Sequence, residues 1–197
     1  MSHLQKGTNN YFGFLPYGPA RVRPYVVSSS EGSAISIGDV MKFTTDLATA
    51  RRATGAFAGI VLGVAASPLA ANAGSTAARP GGDAATLVKI YDDPHQVFVT
   101  CDTTSGLMNS TSLGKNVVVL TSGAVGDTGP IGFMSRSAIS GLTASSAGAM
   151  KVMGLHPIED GFSTDAGGAG VAASVRKILV TPATHYYGVT ATQLITT

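Results

Sequence analysis

Apolar residues come in short runs along this chain, cut apart by clusters of Gly, Pro, Asn, Asp and Ser. Ala34-Ile35-Ser36-Ile37 alternates, meets a turn at Gly38-Asp39, and is followed by Val40-Met41-Lys42-Phe43. That rhythm predicts two short strands. Thr45 to Arg52 fits either a helical turn or a wide loop. Ile60-Val61-Leu62-Gly63-Val64 reads as a buried strand that ends at Pro68. The strongest signal is Thr86 to Tyr91 and Gln96 to Cys101 on either side of Asp92-Asp93-Pro94, which has the look of a hairpin. Asn116 to Leu120 is a β-branched run, and Met150 to Leu155 and Val175 to Val180 are the later strands. Residues 70–84, much of 121–150 and Asp165 to Gly170 are rich in Gly, Ala, Ser and Thr and read as loops. No stretch sustains a helical apolar period, and there are no convincing internal repeats. The expected fold is all-β: a compact barrel or sandwich of short strands with long Gly/Ala-rich loops.

The N-terminal segment breaks this pattern. Its first twenty-seven residues hold Tyr11, Phe12, Phe14, Tyr17 and Tyr25 together with Lys6, Arg21 and Arg23, and no acid. Pro16, Pro19 and Pro24 exclude a stable helix and favour an extended path. Disordered tails are poor in aromatics, whereas Tyr and Arg are favoured interface anchors. Residues 1–32 are therefore expected to form an extended arm and link, with residues 33–197 as the β-rich domain. The arm's expected contacts with a partner are Tyr11, Phe12, Phe14, Leu15, Tyr17, Arg21, Arg23 and Tyr25. On that view, removal of residues 1–25 leaves the β-domain folded. The alternative is that the arm folds back over its own core as a first strand.

Composition narrows the function. Only 12% of the 197 residues are charged, and the formal net charge is +2. So little charge suits a surface packed against neighbours and gives no basic track for nucleic acid. One cysteine, Cys101, cannot form an internal disulfide, and His3, His95, His156 and His185 are scattered without zinc-site spacing. Arg51-Arg52, the apolar run from Ala56 to Ala66 and Ala71-Asn72-Ala73 imitate a signal peptide. They begin fifty residues into the chain, and the run is too short and too rich in Ala and Gly to span a bilayer.

Several catalytic patterns are incomplete. Asp127-Thr128-Gly129 matches the short aspartic-protease signature, which works as a pair of carboxylates sharing a proton and here needs a homodimer. It is preceded by Val125-Gly126 and followed by Pro130, as in an ordinary turn. Gly168-x-Gly170-x-x-Ala173 resembles a dinucleotide loop, but no acid follows Asp165 to hold a ribose. Gly114-Lys115 lacks the P-loop glycine at position 109 and the hydroxyl at position 116. Asp93 and His95 flank Pro94, which favours a turn over a metal site, and His95 and Cys101 are too far apart on one strand to act together. The expectation is a protein with no catalytic residues, cofactor or metal.

A series of short motifs resembles a known family. Gly38-Asp39-Val40-Met41-Lys42-Phe43, Gly59-Ile60-Val61-Leu62-Gly63-Val64 and Tyr91-Asp92-Asp93-Pro94-His95-Gln96-Val97-Phe98-Val99 look like the decoration, or cement, proteins of tailed-bacteriophage heads. Val152-Met153-Gly154-Leu155 and Arg176-Lys177-Ile178-Leu179-Val180 follow in the same order. The resemblance covers roughly residues 35–185 and leaves out the arm. It implies a non-enzymatic virion protein on the outer surface of the capsid, often a homotrimer, that clamps neighbouring major capsid subunits against packaged DNA. Its partners are then the major capsid protein and itself, with no direct contact to nucleic acid or membrane. The competing expectations are a tail- or vertex-associated structural module, another β-rich binding domain, or the Asp127 protease.

Overall fold

The computed structural model describes residues 13–28, 31, 35–45, 47–69, 87–101, 112–120, 138–139, 148–156 and 177–188. It is all-β, a compact sandwich and not a closed barrel. The strands are β1 (Leu15–Pro16), β2 (Val22–Val26), β3 (Val40–Phe43), β4 (Ala50–Arg52), β5 (Ala56–Phe57), β6 (Gly63–Ala65) and β7 (Leu87–Tyr91). They continue with β8 (Phe98–Cys101), β9 (Asn116–Val117), β10 (Val119–Leu120), β11 (Ala138–Ile139), β12 (Met150–Leu155) and β13 (Lys177–Pro182). One sheet has the order β1-β8-β13-β12-β9, a second β2-β7-β6-β3-β4, and a small third β11-β10-β5. All pairings between these strands are antiparallel.

The main core lies where the first sheet meets the second. Strict alternation sets its inward face: Ile178 and Val180 of β13, Met150 and Val152 of β12, and Phe98 of β8 are fully buried beside Val40 and Val64 of the second sheet. Successive side chains of a strand point to opposite faces. In β3 and β6 this divides neighbours between two cores, with Val40 and Val64 in the main one and Met41 and Ala65 in a second cluster. Val27, Ile35, Ala50, Leu62, Val88 and Ile90 complete that second cluster. A strand buried on both faces reads as a continuous apolar run. This is why the Ile60–Val64 segment imitates the apolar stretch of a signal peptide. Among the described residues, no helix is long and apolar enough to cross a membrane.

Two sequence expectations change here. The segments either side of Asp92-Asp93-Pro94 are strands, but they do not form a hairpin. β7 is flanked by β2 and β6 in the second sheet, and β8 by β1 and β13 in the first. Both edges of each strand are already paired, so residues 92–97 carry the chain from one sheet to the other. Within Thr45 to Arg52, Ala50–Arg52 is strand β4, paired with β3 in a hairpin, and Thr44 N–H donates to Thr49 O at 2.9 Å where the two strands meet their connection.

The arm is also part of the domain. Leu15 and Pro16 pair with Val99 and Phe98, and β2 pairs along its whole length with β7. Residues 13–27 thus follow the fold-back alternative, and the boundary at residue 32 does not separate them from the sheets. Their prolines seal the edges. Ala66 N–H donates to Lys89 O and Lys89 N–H to Ser67 Oγ, so the main chain of Lys89 faces away from β2. Its partner Pro24 turns its own main chain outward, where proline has no N–H to offer. At the far edge, Ser28 N–H donates to Ala50 O and Arg52 N–H to the buried Glu31 carboxylate, closing β4.

Candidate functional site

The chemistry-bearing side chains converge where β2 passes the crossing between the sheets. Asp92 lies two residues beyond Ile90, on the inward face of β7, and period 2 sends its carboxylate inside, where it is 0% exposed. Burying a carboxylate is costly unless it is paired and hydrogen-bonded. Both oxygens are answered. Arg21 Nε donates to Oδ1 at 2.8 Å while its Nη2 donates to the Asp92 carbonyl at 2.9 Å. Tyr25 OH donates to Oδ2 at 2.6 Å, and Arg23 Nε lies 3.4 Å from the same oxygen. The Tyr25 and Tyr187 hydroxyls are 2.9 Å apart at the rim.

This wiring sets the protonation states. Burial, then the bonds to Asp92 and Tyr187, hold the Tyr25 phenol far above the ordinary tyrosine range. The Asp92 bond raises the Arg21 guanidinium. His185 is clipped beside the network: Val61 N–H donates to Thr184 O, and Tyr186 N–H donates to Val61 O. Its Nδ1 accepts the Tyr187 N–H at 3.1 Å, which places the proton of the neutral ring on Nε2. Nε2 is buried and makes no hydrogen bond. Burial pushes the His185 pKa down. The phenol beside the Asp92 carboxylate stays protonated. The network is a fastener that locks β2 onto the β7–β8 crossing.

Of the partner-binding residues expected from the sequence, Arg21, Arg23 and Tyr25 come together on Asp92. Phe14, Leu15 and Tyr17 lie with the other sheet. Phe14 is 0% exposed and belongs to the main core, so it is a packing residue and not a surface anchor. Its aromatic ring carries the same sequence signal in either role. Leu15 is half-buried in β1. Tyr17 is exposed, donates its N–H to Val97 O at 2.8 Å, and sets its ring edge-on to His156 at 5.5 Å. Tyr11 and Phe12 lie outside the described residues, as do Asp127 and the Gly168–Gly170 loop. Asp93 and His95 form a turn, with His95 N–H donating to Asp93 Oδ1 at 2.9 Å. Among the described residues no three His, Cys, Asp or Glu side chains gather as metal ligands. Sequence reading missed Asp92 as a hub, together with Tyr187 and His185. An acid directly after an alternating strand, opposite an arginine-rich segment, is the signal that points to it.

Fastening β2 leaves its other face on display. Val22, Pro24 and Val26 stand opposite Tyr91, Lys89 and Leu87. Tyr91 packs on the main core, but Val22 is 42% exposed, Leu87 is 55% exposed, and Pro24 and Lys89 are also open to solvent. Apolar side chains therefore continue past the end of the packed core onto an open sheet surface. Comparison with protein-family models, curated proteins and solved structures finds no match to this chain.

Proposed function

We propose that this is a structural binding protein of the decoration class, which docks on the outside of an assembled tailed-phage capsid and clamps neighbouring major capsid subunits. The observation that carries the reading is the open apolar face of β2 and β7, held rigid from behind by Asp92. Val22, Pro24 and Leu87 are presented on an ordered strand pair, so binding costs little conformational entropy. Arg21 and Arg23 hold the strand pair from the opposite face, with both guanidiniums on Asp92. The outward main chain of Pro24 disfavours strand addition along the β2 edge, which leaves side-chain docking as the mode.

The motifs that resemble the cement family fall on framework strands of both large sheets, namely β3, β6, β8, β12 and β13. That distribution supports the reading. A protein that binds only the assembled shell stabilises it by linkage, and many modest contacts on a closed lattice give high avidity. A homotrimer matches a threefold position.

Deleting residues 1–25 is no clean test, because it removes β1, most of β2 and the core residue Phe14. Single substitutions at exposed positions serve instead. Val22→Glu and Leu87→Glu should leave the thermal transition near that of the parent protein and reduce co-sedimentation with capsids at least tenfold. Equal binding by both variants would refute docking through this face.

A further inference from the structure

Two strands of the second sheet hold a pair of cations with no carboxylate partner among the described residues. In the β3–β4 hairpin, Lys42 stands directly opposite Arg51. Thr44 N–H donates to Thr49 O, and Ala53 N–H to Val40 O, so Lys42 and Arg51 form the hydrogen-bonded pair between those two. Their side chains leave the same face, and like charges directly opposite each other destabilise a hairpin. The other face of the hairpin answers its cation: Arg52 Nη1 lies 3.9 Å from the Asp39 carboxylate.

No described carboxylate faces Lys42 and Arg51 in the same way. Arg51 Nε is buried and makes no hydrogen bond. Neither side chain has a salt bridge among the described residues. The Lys42 ammonium sits 5.6 Å from the centre of the Phe57 ring. Next along the same face, the Thr44 and Thr49 hydroxyls lie 2.8 Å apart.

We propose that Lys42 and Arg51 form a receiving site for a carboxylate side chain of a protein partner. A guanidinium takes a planar carboxylate through two parallel hydrogen bonds, and Arg51 Nε–H, buried and without a hydrogen bond here, becomes one of the donors when the side chain turns outward to meet the partner. The Lys42 ammonium supplies the second charge, Phe57 walls the site on its apolar side, and binding relieves the repulsion between the two cations. Two cations without a wider basic track suit an acidic side chain better than a polyphosphate backbone. The proposal holds for any protein partner and does not depend on the capsid reading.

The test uses the full chain, labelled with nitrogen-15, and a blocked peptide of alternating Glu and Gly at low salt. The Arg51 Nε–Hε resonance should shift saturably with millimolar affinity, and Lys42→Glu and Arg51→Gln should each weaken binding about tenfold. Lys151→Glu, at an exposed lysine of β12, should leave it unchanged. Lys42→Glu should also raise Tm by about 1–3 °C, because it turns a cross-strand repulsion into an attraction. An unmoved Arg51 resonance would overturn the proposal. So would a Tm that stays level or falls in Lys42→Glu, or tighter binding of inorganic phosphate than of the peptide.

Discussion

If Asp92 is the fastener of β2, removing either end of its shortest bond should cost measurable stability. Tyr25→Phe deletes only the hydroxyl, whose bond to a buried carboxylate is 2.6 Å long. Hydrogen bonds to charged groups contribute about 1.5–3 kcal/mol, and the half-exposed position of Tyr25 favours the lower end, about 1.5 kcal/mol. Asp92→Asn keeps one acceptor but turns an amide N–H₂ toward groups that are themselves donors. Breaking a fully buried ion pair costs about 3–5 kcal/mol, but the guanidiniums here are 42% and 51% exposed and can rehydrate. The expected cost is therefore about 2–3 kcal/mol. In a domain of this size each kcal/mol moves Tm by about 2–4 °C. Thermal unfolding should thus fall by about 3–6 °C for Tyr25→Phe and about 4–12 °C for Asp92→Asn. The double variant should be less than additive by about 1 kcal/mol, because the two substitutions share one bond. Single effects below about 0.5 kcal/mol, or strict additivity, would refute the role assigned to Asp92.

Three further outcomes follow from the packing. Phe14→Ala should cost about 3–5 kcal/mol as a core cavity, while Tyr17→Ala should cost about 0.5–1 kcal/mol; equal losses in chemical denaturation would contradict their different placements. Gly63→Ala should lower soluble yield and drop Tm by about 4 °C or more, because its Cβ would meet the Tyr91 carbonyl oxygen and lie 2.6 Å from Ile90 Cγ2. His185 is held below its ordinary value of 6.5, so the unfolded chain takes up the proton more readily than the folded one. Its contribution is complete above pH 6.5 and drains away as pH falls toward the lower folded value. Tm followed from about pH 8 to about pH 5 should fall less steeply in His185→Gln than in the parent, and identical slopes would contradict this.

The strands were legible wherever one face is buried. β12 begins and ends at the residues read from alternation, Met150 and Leu155, and β7 lies within one residue of its reading. Partnership was not legible, because a six-residue connection serves a hairpin and a crossing between sheets equally well. The occupied edges of β7 and β8 decide between them, and those edges are filled by residues far away in sequence. The same limit governed the arm. Aromatics and arginines mark binding surfaces in general, but Arg21 meets its carboxylate 71 residues further on and within the same chain. β5, β10 and β11 are two residues each and carry no period at all. The surface assigned to docking was the least legible feature, since Leu87 and Val88 are equally apolar and only register tells which one faces solvent.

The most direct measurement is the molar ratio of this chain to the main shell protein in virus particles purified from the source of the sequence, obtained by quantitative mass spectrometry. The account predicts a ratio near that of a regular shell component, about one copy per shell subunit or one trimer per threefold position. A few copies per particle would place it at the tail or a vertex instead. Its complete absence from particles would contradict a virion role and leave the β2–β7 face without the partner proposed for it.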